Sequence, residues 1–196
     1  DVEKGVTHQD NYVCSGESYR NHMADVFMAW HEHPEVVAVD LSRNFGQHSA
    51  LMAGFHQVQG DIIICLDDDG QTPACECFKL IDKVNEGNDI VFAEYGERKQ
   101  SAFRNLGSKF NAACNHFFFA QPKELKANSY FACRRFVVDS ALQYPNPFPY
   151  VTGLLFQSVG TYANVRVEHK ERMEGSSGYK MSGIRRMAIG MFSVLT

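Results

Sequence analysis

Three short apolar runs organise the first half of the chain: residues 36–40 (VVAVD), 61–66 (DIIICL) and 89–93 (DIVFA). Each is short, β-rich and bounded by Gly, Asp or Asn, which predicts buried strands. Helical spacing fills the intervals. Residues 17–32 carry Met23, Val26, Phe27 and Trp30; residues 47–58 carry Leu51, Met52 and Phe55. Residues 74–86 carry Phe78, Leu80, Ile81 and Val84, with Pro73 suited to the helix start. A β-α-β-α-β rhythm predicts an α/β domain with a mostly parallel sheet and helical crossovers. Ligands of such sheets bind at the carboxyl ends of the strands.

The pattern changes after residue 98. Residues 101–119 read as one helix with Phe103, Leu106, Phe110, Cys114 and Phe117 turned inward. Residues 129–134 and 161–168 read as strands, and residues 144–150 form a proline-rich loop. Residues 180–195 place Met181, Ile184, Met187, Ala188, Met191 and Phe192 on one helical face, with Lys180, Arg185, Arg186 and no acid. That pattern fits a membrane-surface helix and a core helix equally. Arg134 and Arg135 follow a strand, one expected to reach a site and the other to be solvated.

Composition narrows the class. A chain of 196 residues with 44% hydrophobic and 21% charged side chains is one ordinary globular domain, or two small ones at most. The net charge of −4 conceals a division: residues 1–97 hold 18 acids and 5 bases, residues 98–196 hold 5 acids and 14 bases. An acidic chain without a nucleic-acid motif argues against DNA binding. Six cysteines include no C-x-x-C pair, and Cys75 with Cys77 is too tight for a zinc ribbon, so reduced thiols are expected, with Cys65 buried. No apolar run reaches the roughly 20 residues that a membrane helix needs.

The densest chemistry is residues 66–73, LDDDGQTP. Three carboxylates directly after a buried strand are costly unless a cation or water relieves them. In extended backbone Asp67 and Asp69 point the same way. With Gln71 they suit a hard divalent cation, Mg²⁺ or Mn²⁺, although a solvated acidic loop tip has the same composition. Haloacid-dehalogenase phosphatases use D-x-D-G-T after a strand, but here Gln71 intervenes between Gly70 and Thr72.

A second family accounts for more of the chain. Residues 41–50 (LSRNFGQHSA), Ala53-Gly54, Gly60-Asp61, the D-x-D-x-Q element of Asp67, Asp69 and Gln71, Pro73, and residues 86–91 (EGNDIV) resemble glycosyltransferase family 2. Arg98, Arg104, Ser108, the stretch from Ser129 to Arg135, and Arg172, Gly175, Ser176 and Tyr179 extend the resemblance. Within the family the chain is similar to polyprenyl-phosphate glycosyltransferases related to dolichyl-phosphate mannose synthase.

The resemblance implies a GT-A fold and inverting transfer of a sugar from a UDP- or GDP-linked donor. Asp67, Asp69 and Gln71 would hold the metal. Asp68, Arg98 and Ser108 would join them at the donor diphosphate. Asp69, Arg104 and Arg172 would be the catalytic groups, and Gly175, Ser176 and Tyr179 the acceptor-phosphate loop. It also implies a GT-A domain over residues 1–178 and an amphipathic membrane-proximal helix over 179–196, acting at the cytoplasmic face of a membrane. Transmembrane helices follow this point in the family.

The expected acceptor is a polyprenyl phosphate. Transfer to a sugar hydroxyl needs a carboxylate base, and hydroxyl-directed relatives carry a Glu-Asp pair in the later strand-helix region. Only Glu124 and Asp139 are acidic between residues 98 and 167, and the Q-x-x-R-W motif of processive synthases is absent. A lipid phosphate is already ionised and needs cations instead. Two departures stand out. Gly178 replaces the family's Lys, and the family's first strand is unmatched, with residues 10–19 a degenerate form of its second turn. A catalytically impaired fragment that only binds nucleotide or membrane is the alternative expectation, and a phosphatase the weaker one.

Overall fold

Successive residues of a strand serve opposite faces of the sheet, and here the two faces are closed by different helices. The computed structural model describes residues 11–13, 31–32, 36–43, 45–66, 73–96, 116, 122 and 124–168. In order come β1 (Asn11–Val13), β2 (Val37–Val39), α1 (Gln47–Phe55), β3 (Ile62–Cys65), a 3-10 turn (Ala74–Glu76) and α2 (Cys77–Asn85). Then follow β4 (Ile90–Tyr95), β5 (Phe131–Arg134), α3 (Arg135–Leu142), α4 (Val151–Phe156) and β6 (Tyr162–Val167).

β3, β5, β4 and β6 form a four-stranded sheet in that spatial order, and β1 pairs parallel with β2. Ile63, Cys65, Ile90, Phe92, Phe131 and Cys133 project to one face, packed with Phe55 of α1, Val137, Val138 and Ala141 of α3, and Leu154 and Leu155 of α4. Val91, Ala93, Tyr130 and Ala132 project to the other, where Leu80 and Val84 of α2 close the core with Val167. The registers Ile63↔Cys133 and Phe92↔Phe131 keep like faces aligned. Ile90, Phe92 and Leu80 are almost wholly buried, each contributing about 1.5–3 kcal/mol before conformational entropy is subtracted. Burial of Ile90, Val91, Phe92 and Ala93 explains the apolar run in the first four residues of β4.

The sheet is α/β as expected, but mixed. β4 and β6 are parallel, while β5 runs antiparallel to both of its neighbours, β3 and β4. The runs at 61–66 and 89–93 therefore share a direction without being adjacent. Periodicity identifies a strand but not its neighbour, and the returning strand after residue 96 takes the slot between them. The predicted helices at 47–58 and 74–86 are present, the first ending at Phe55 and the second opening as a 3-10 turn. Of the helix predicted at 17–32 only residues 31–32 are described, and of that at 101–119 only His116; these are helical. The segment 180–195 lies outside the described residues. Cys65, Cys75, Cys77 and Cys133 are thiols, and Cys65 is buried as expected.

Candidate active site

The antiparallel insertion of β5 brings four chain passages to one edge of the sheet. Cys65 pairs with Phe131, Phe92 with Phe131, and Tyr95 with Val167. The carboxyl ends of β3, β4 and β6 and the amino end of β5 therefore lie together. From this edge the chain continues past Leu66 into residues 67–72, past Gly96 into residues 97–115, and past Glu168 into residues 169–196.

Those three segments carry every candidate site residue. Asp67, Asp68, Asp69 and Gln71, then Arg98, Arg104 and Ser108, then Arg172, Gly175, Ser176 and Tyr179, all lie outside the described residues. The topology thus brings the points where their segments leave the sheet to one edge.

The described side chains at this edge were not singled out from sequence. Glu76, in the 3-10 turn after the acidic run, is buried, and its Oε2 accepts from Lys79 Nζ at 2.7 Å and from the Glu168 backbone N–H at 2.9 Å. The Lys79 hydrogen bond, joined by the Glu168 N–H, holds the Glu76 carboxyl below its ordinary range and raises Lys79 in turn. Lys126 Nζ pairs with Glu94 on β4. The Asn128 side chain donates to the Ala93 carbonyl, and its Oδ1 accepts from the Tyr130 N–H at 3.0 Å. Asn164 binds the Lys126 backbone at both ends, 3.0 Å each. Arg166 lies beside Gly96, its Nη2 3.6 Å from where a Cβ would stand. The Tyr130 hydroxyl is buried with no hydrogen-bond partner among the described residues, and burial pushes its pKa well above the usual value. The one available signal for these groups was alternation along β6, which places Asn164 and Arg166 on one face.

Other family-like stretches have a structural role. In residues 41–50, Gly46 caps α1 at φ 91° and ψ 163°. That region is open essentially to glycine alone. The Arg43 guanidinium lies over the Phe45 ring, 4.7 Å from its centroid. His48 Nδ1 accepts from the Val151 N–H at 3.4 Å and meets the Tyr150 ring edge-on at 5.3 Å, joining α1 to the start of α4. Burial pushes the His48 pKa down, so the ring is neutral.

The stretch 86–91 sits at the opposite end of β4. Gly87, at φ 112°, closes α2 by donating to the Val84 carbonyl at 3.0 Å. Arg134 and Arg135 belong to this far end too. Arg134 Nη2 donates to the Val84 carbonyl at 3.0 Å, and Arg135 Nε to the Gly60 carbonyl at 2.8 Å. The expectation that one of them reaches the site is corrected: an antiparallel β5 carries its carboxyl end away from the edge that receives the acidic run.

Among the described residues no group of three or more His, Cys, Asp or Glu could hold a metal ion. The oxygen donors that fit a hard cation are those of the acidic run.

Residues 15–142 match the description "Glycosyl transferase family 2". The chain belongs to this family. It is 34% identical over 166 residues to an undecaprenyl-phosphate 4-deoxy-4-formamido-L-arabinose transferase of Erwinia tasmaniensis, covering 82% of this chain and 50% of that protein. The Pseudomonas fluorescens protein of the same name is 32% identical over 199 residues, covering 97% and 57% respectively. The chain thus spans about half of the length of the curated relatives it matches. Among solved structures, glucosyl-3-phosphoglycerate synthase of Mycobacterium tuberculosis with phosphoglyceric acid superposes with a TM-score of 0.59 at 16% identity, over 86% of this chain and 64% of that one. The same enzyme with Mn²⁺, UDP-glucose and phosphoglyceric acid gives 0.55 at 17% identity, over 82% and 59%. These likenesses establish the GT-A fold, and the chain is a family 2 glycosyltransferase domain.

Proposed function

We propose that this domain transfers a sugar, with inversion, from a nucleotide diphosphate donor to an undecaprenyl-type polyprenyl phosphate at a membrane surface. The observation that carries the reading is the convergence at one sheet edge: β3 leads there into the acidic run, and β4 and β6 lead there into basic segments. Family membership and the acceptor in the relatives' names support it.

An acceptor phosphate oxygen attacks the anomeric carbon from the side opposite the leaving diphosphate, which inverts the configuration. No general base is required, because the phosphate is ionised at neutral pH. The chain's work is to orient two anions and offset their charge. In this reading Arg98, Arg104, Ser108 and Asp68 serve the donor phosphates, and Arg172, Gly175, Ser176 and Tyr179 hold the acceptor phosphate. Asp67, Asp69 and Gln71 have the donor chemistry to hold Mg²⁺ or Mn²⁺, which when bound offsets charge on the diphosphate. The Mn²⁺ and UDP-glucose bound to the M. tuberculosis enzyme support a divalent ion and make a UDP-linked donor the first to try. Among the described residues no helix is long and apolar enough to cross a membrane. The lipid acceptor is what assigns the reaction to a membrane surface, and the cytoplasmic face is where we place it.

The test is transfer of labelled sugar to undecaprenyl phosphate from UDP-glucose and from UDP-linked 4-deoxy-4-formamido-L-arabinose, with Mn²⁺. Turnover by the protein, lost in Asp69→Ala and on chelation, is expected. Full activity in Asp69→Ala overturns the metal assignment, and absence of transfer from either donor overturns the reading.

A further inference from the structure

One carboxylate joins two parts of the chain that are 92 residues apart. Glu76 Oε2 receives the Glu168 backbone N–H and the Lys79 ammonium, and Glu76 is 7% exposed, the buried charged side chain among the described residues. A buried carboxylate with an N–H donor fixes the backbone that offers it, because leaving either group unpaired is costly. Glu76 follows Gln71 by five residues, and Glu168 precedes Arg172 by four. The bond therefore stands between the turn that closes the acidic run and the strand end that leads to the basic segment. Lys79 is half exposed and balances the charge, so the N–H bond is the part that fixes the backbone.

We propose that Glu76 is a positioning residue for sugar transfer, holding the donor-side turn and the acceptor-side strand end in one register. This rests on the functional reading above. Glu76 touches no reacting atom in this account; it acts through the two segments it joins.

Three variants separate the contributions. Glu76→Ala removes the acceptor, Glu76→Gln keeps an oxygen for the Glu168 N–H while losing the charge, and Glu168→Pro removes the N–H itself. Each is followed by thermal midpoint, by KM and kcat for undecaprenyl phosphate, and, except in the proline variant, by hydrogen exchange at the Glu168 amide. Faster exchange is expected in Glu76→Ala. Its kcat/KM for undecaprenyl phosphate should fall about tenfold or more, the scale seen when an outer positioning contact is lost. Glu76→Gln should recover most of both, and Glu168→Pro should reproduce the kinetic loss if the alanine variant does not fold. Faster exchange with unaltered kinetics overturns the inference, as does a folded Glu76→Gln no better than Glu76→Ala. Wild-type protein that transfers no sugar overturns the functional reading and this inference with it. That outcome is recognisable, because the exchange difference between variants would remain.

Discussion

Asp89, at the start of β4, holds Thr161, at the start of β6, by both backbone and side chain. Asp89 Oδ2 accepts the Thr161 N–H at 2.9 Å and the Gly160 N–H at 2.8 Å, while the Asp89 N–H donates to Thr161 Oγ1 at 3.0 Å. Thr161 Oγ1 in turn donates to the Gly87 carbonyl at 3.1 Å. This latch sets the register of the parallel pair β4 and β6 from the end opposite the candidate site.

Asp89→Ala should lower stability by about 1 kcal/mol, two charge-assisted bonds discounted for solvent access. Asp89→Asn, which keeps an acceptor oxygen, should cost less. Burial pushes the Asp89 pKa up, but the N–H groups of Thr161 and Gly160, the Thr161 hydroxyl and the Arg134 guanidinium outweigh it and hold the carboxyl below its ordinary value. The folded state therefore binds the proton less readily than the unfolded one. The latch contributes fully above about pH 4 and is lost as pH falls through the folded-state value. Urea unfolding at pH 7 and pH 3 should show the gap between wild type and Asp89→Ala narrowing in acid.

His48 gives a second pH dependence, at milder acidity. Its Nδ1 faces the Val151 N–H, so protonation would set two donors against each other in a buried place. Burial lowers its pKa from 6.5. The unfolded chain accordingly takes up the proton first, and stability is full above about pH 6.5 and declines as pH drops below it. Asn at this position offers an acceptor oxygen that does not titrate. The stability difference between wild type and His48→Asn, measured by thermal melts from pH 7.5 to 5.5, should shrink steadily. Parallel curves would assign the titration to another group.

How far the sequence carried these conclusions differs by element. The strands at 61–66 and 89–93 were legible because burial on both faces leaves an apolar run with no other reading. β1 was missed because three residues are too few to show a period. α4 was missed for another reason: Val151, Gly153, Leu154 and Leu155 are all buried, so no polar stripe marks it as a helix. The latch at Asp89 was visible only as a family-like stretch, since its partner lies 72 residues away and nothing local announces Thr161. Glu76 was silent likewise, an acid between two cysteines whose partner is a backbone N–H. The acidic run stands out in the sequence, because three carboxylates after a buried strand need a cation or water to relieve them, and it lies outside the described residues.

Gly46, the one glycine of the stretch 41–50, should resist replacement. Its φ of 91° with ψ of 163° lies where a Cβ is strained. Gly46 also supplies the carbonyl that receives the Ala50 N–H at 3.1 Å, the first turn of α1. Gly46→Ala should cost about 1–3 kcal/mol. Gly60→Ala, at an exposed position without a positive φ where an added Cβ would stand 3.4 Å from the Ile62 carbonyl oxygen, lacks this backbone penalty and isolates it as a control. A lowered unfolding midpoint confined to Gly46→Ala is the expected result, and equal midpoints would remove the case for a conformational requirement.

Tyr130 offers a prediction that runs the other way. Tyr130 belongs to the core cluster of Leu80, Val84 and Ala132, its hydroxyl is buried, and the titratable groups acting on it are those of Cys77, Tyr95, Glu76 and Cys75. An unsatisfied buried hydroxyl costs about 1–3 kcal/mol, whereas a phenyl ring fills the same space without that cost. Tyr130→Phe should therefore raise the unfolding midpoint and leave sugar transfer unchanged. The opposite pair of results, an unaltered midpoint with transfer reduced tenfold or more, would mean that the hydroxyl finds its partner among the segments leaving the sheet edge. Tyr130 would then belong with Glu76 among the groups that position them. The two measurements on one variant decide between a packing residue that tolerates a polar atom and a site residue that requires it.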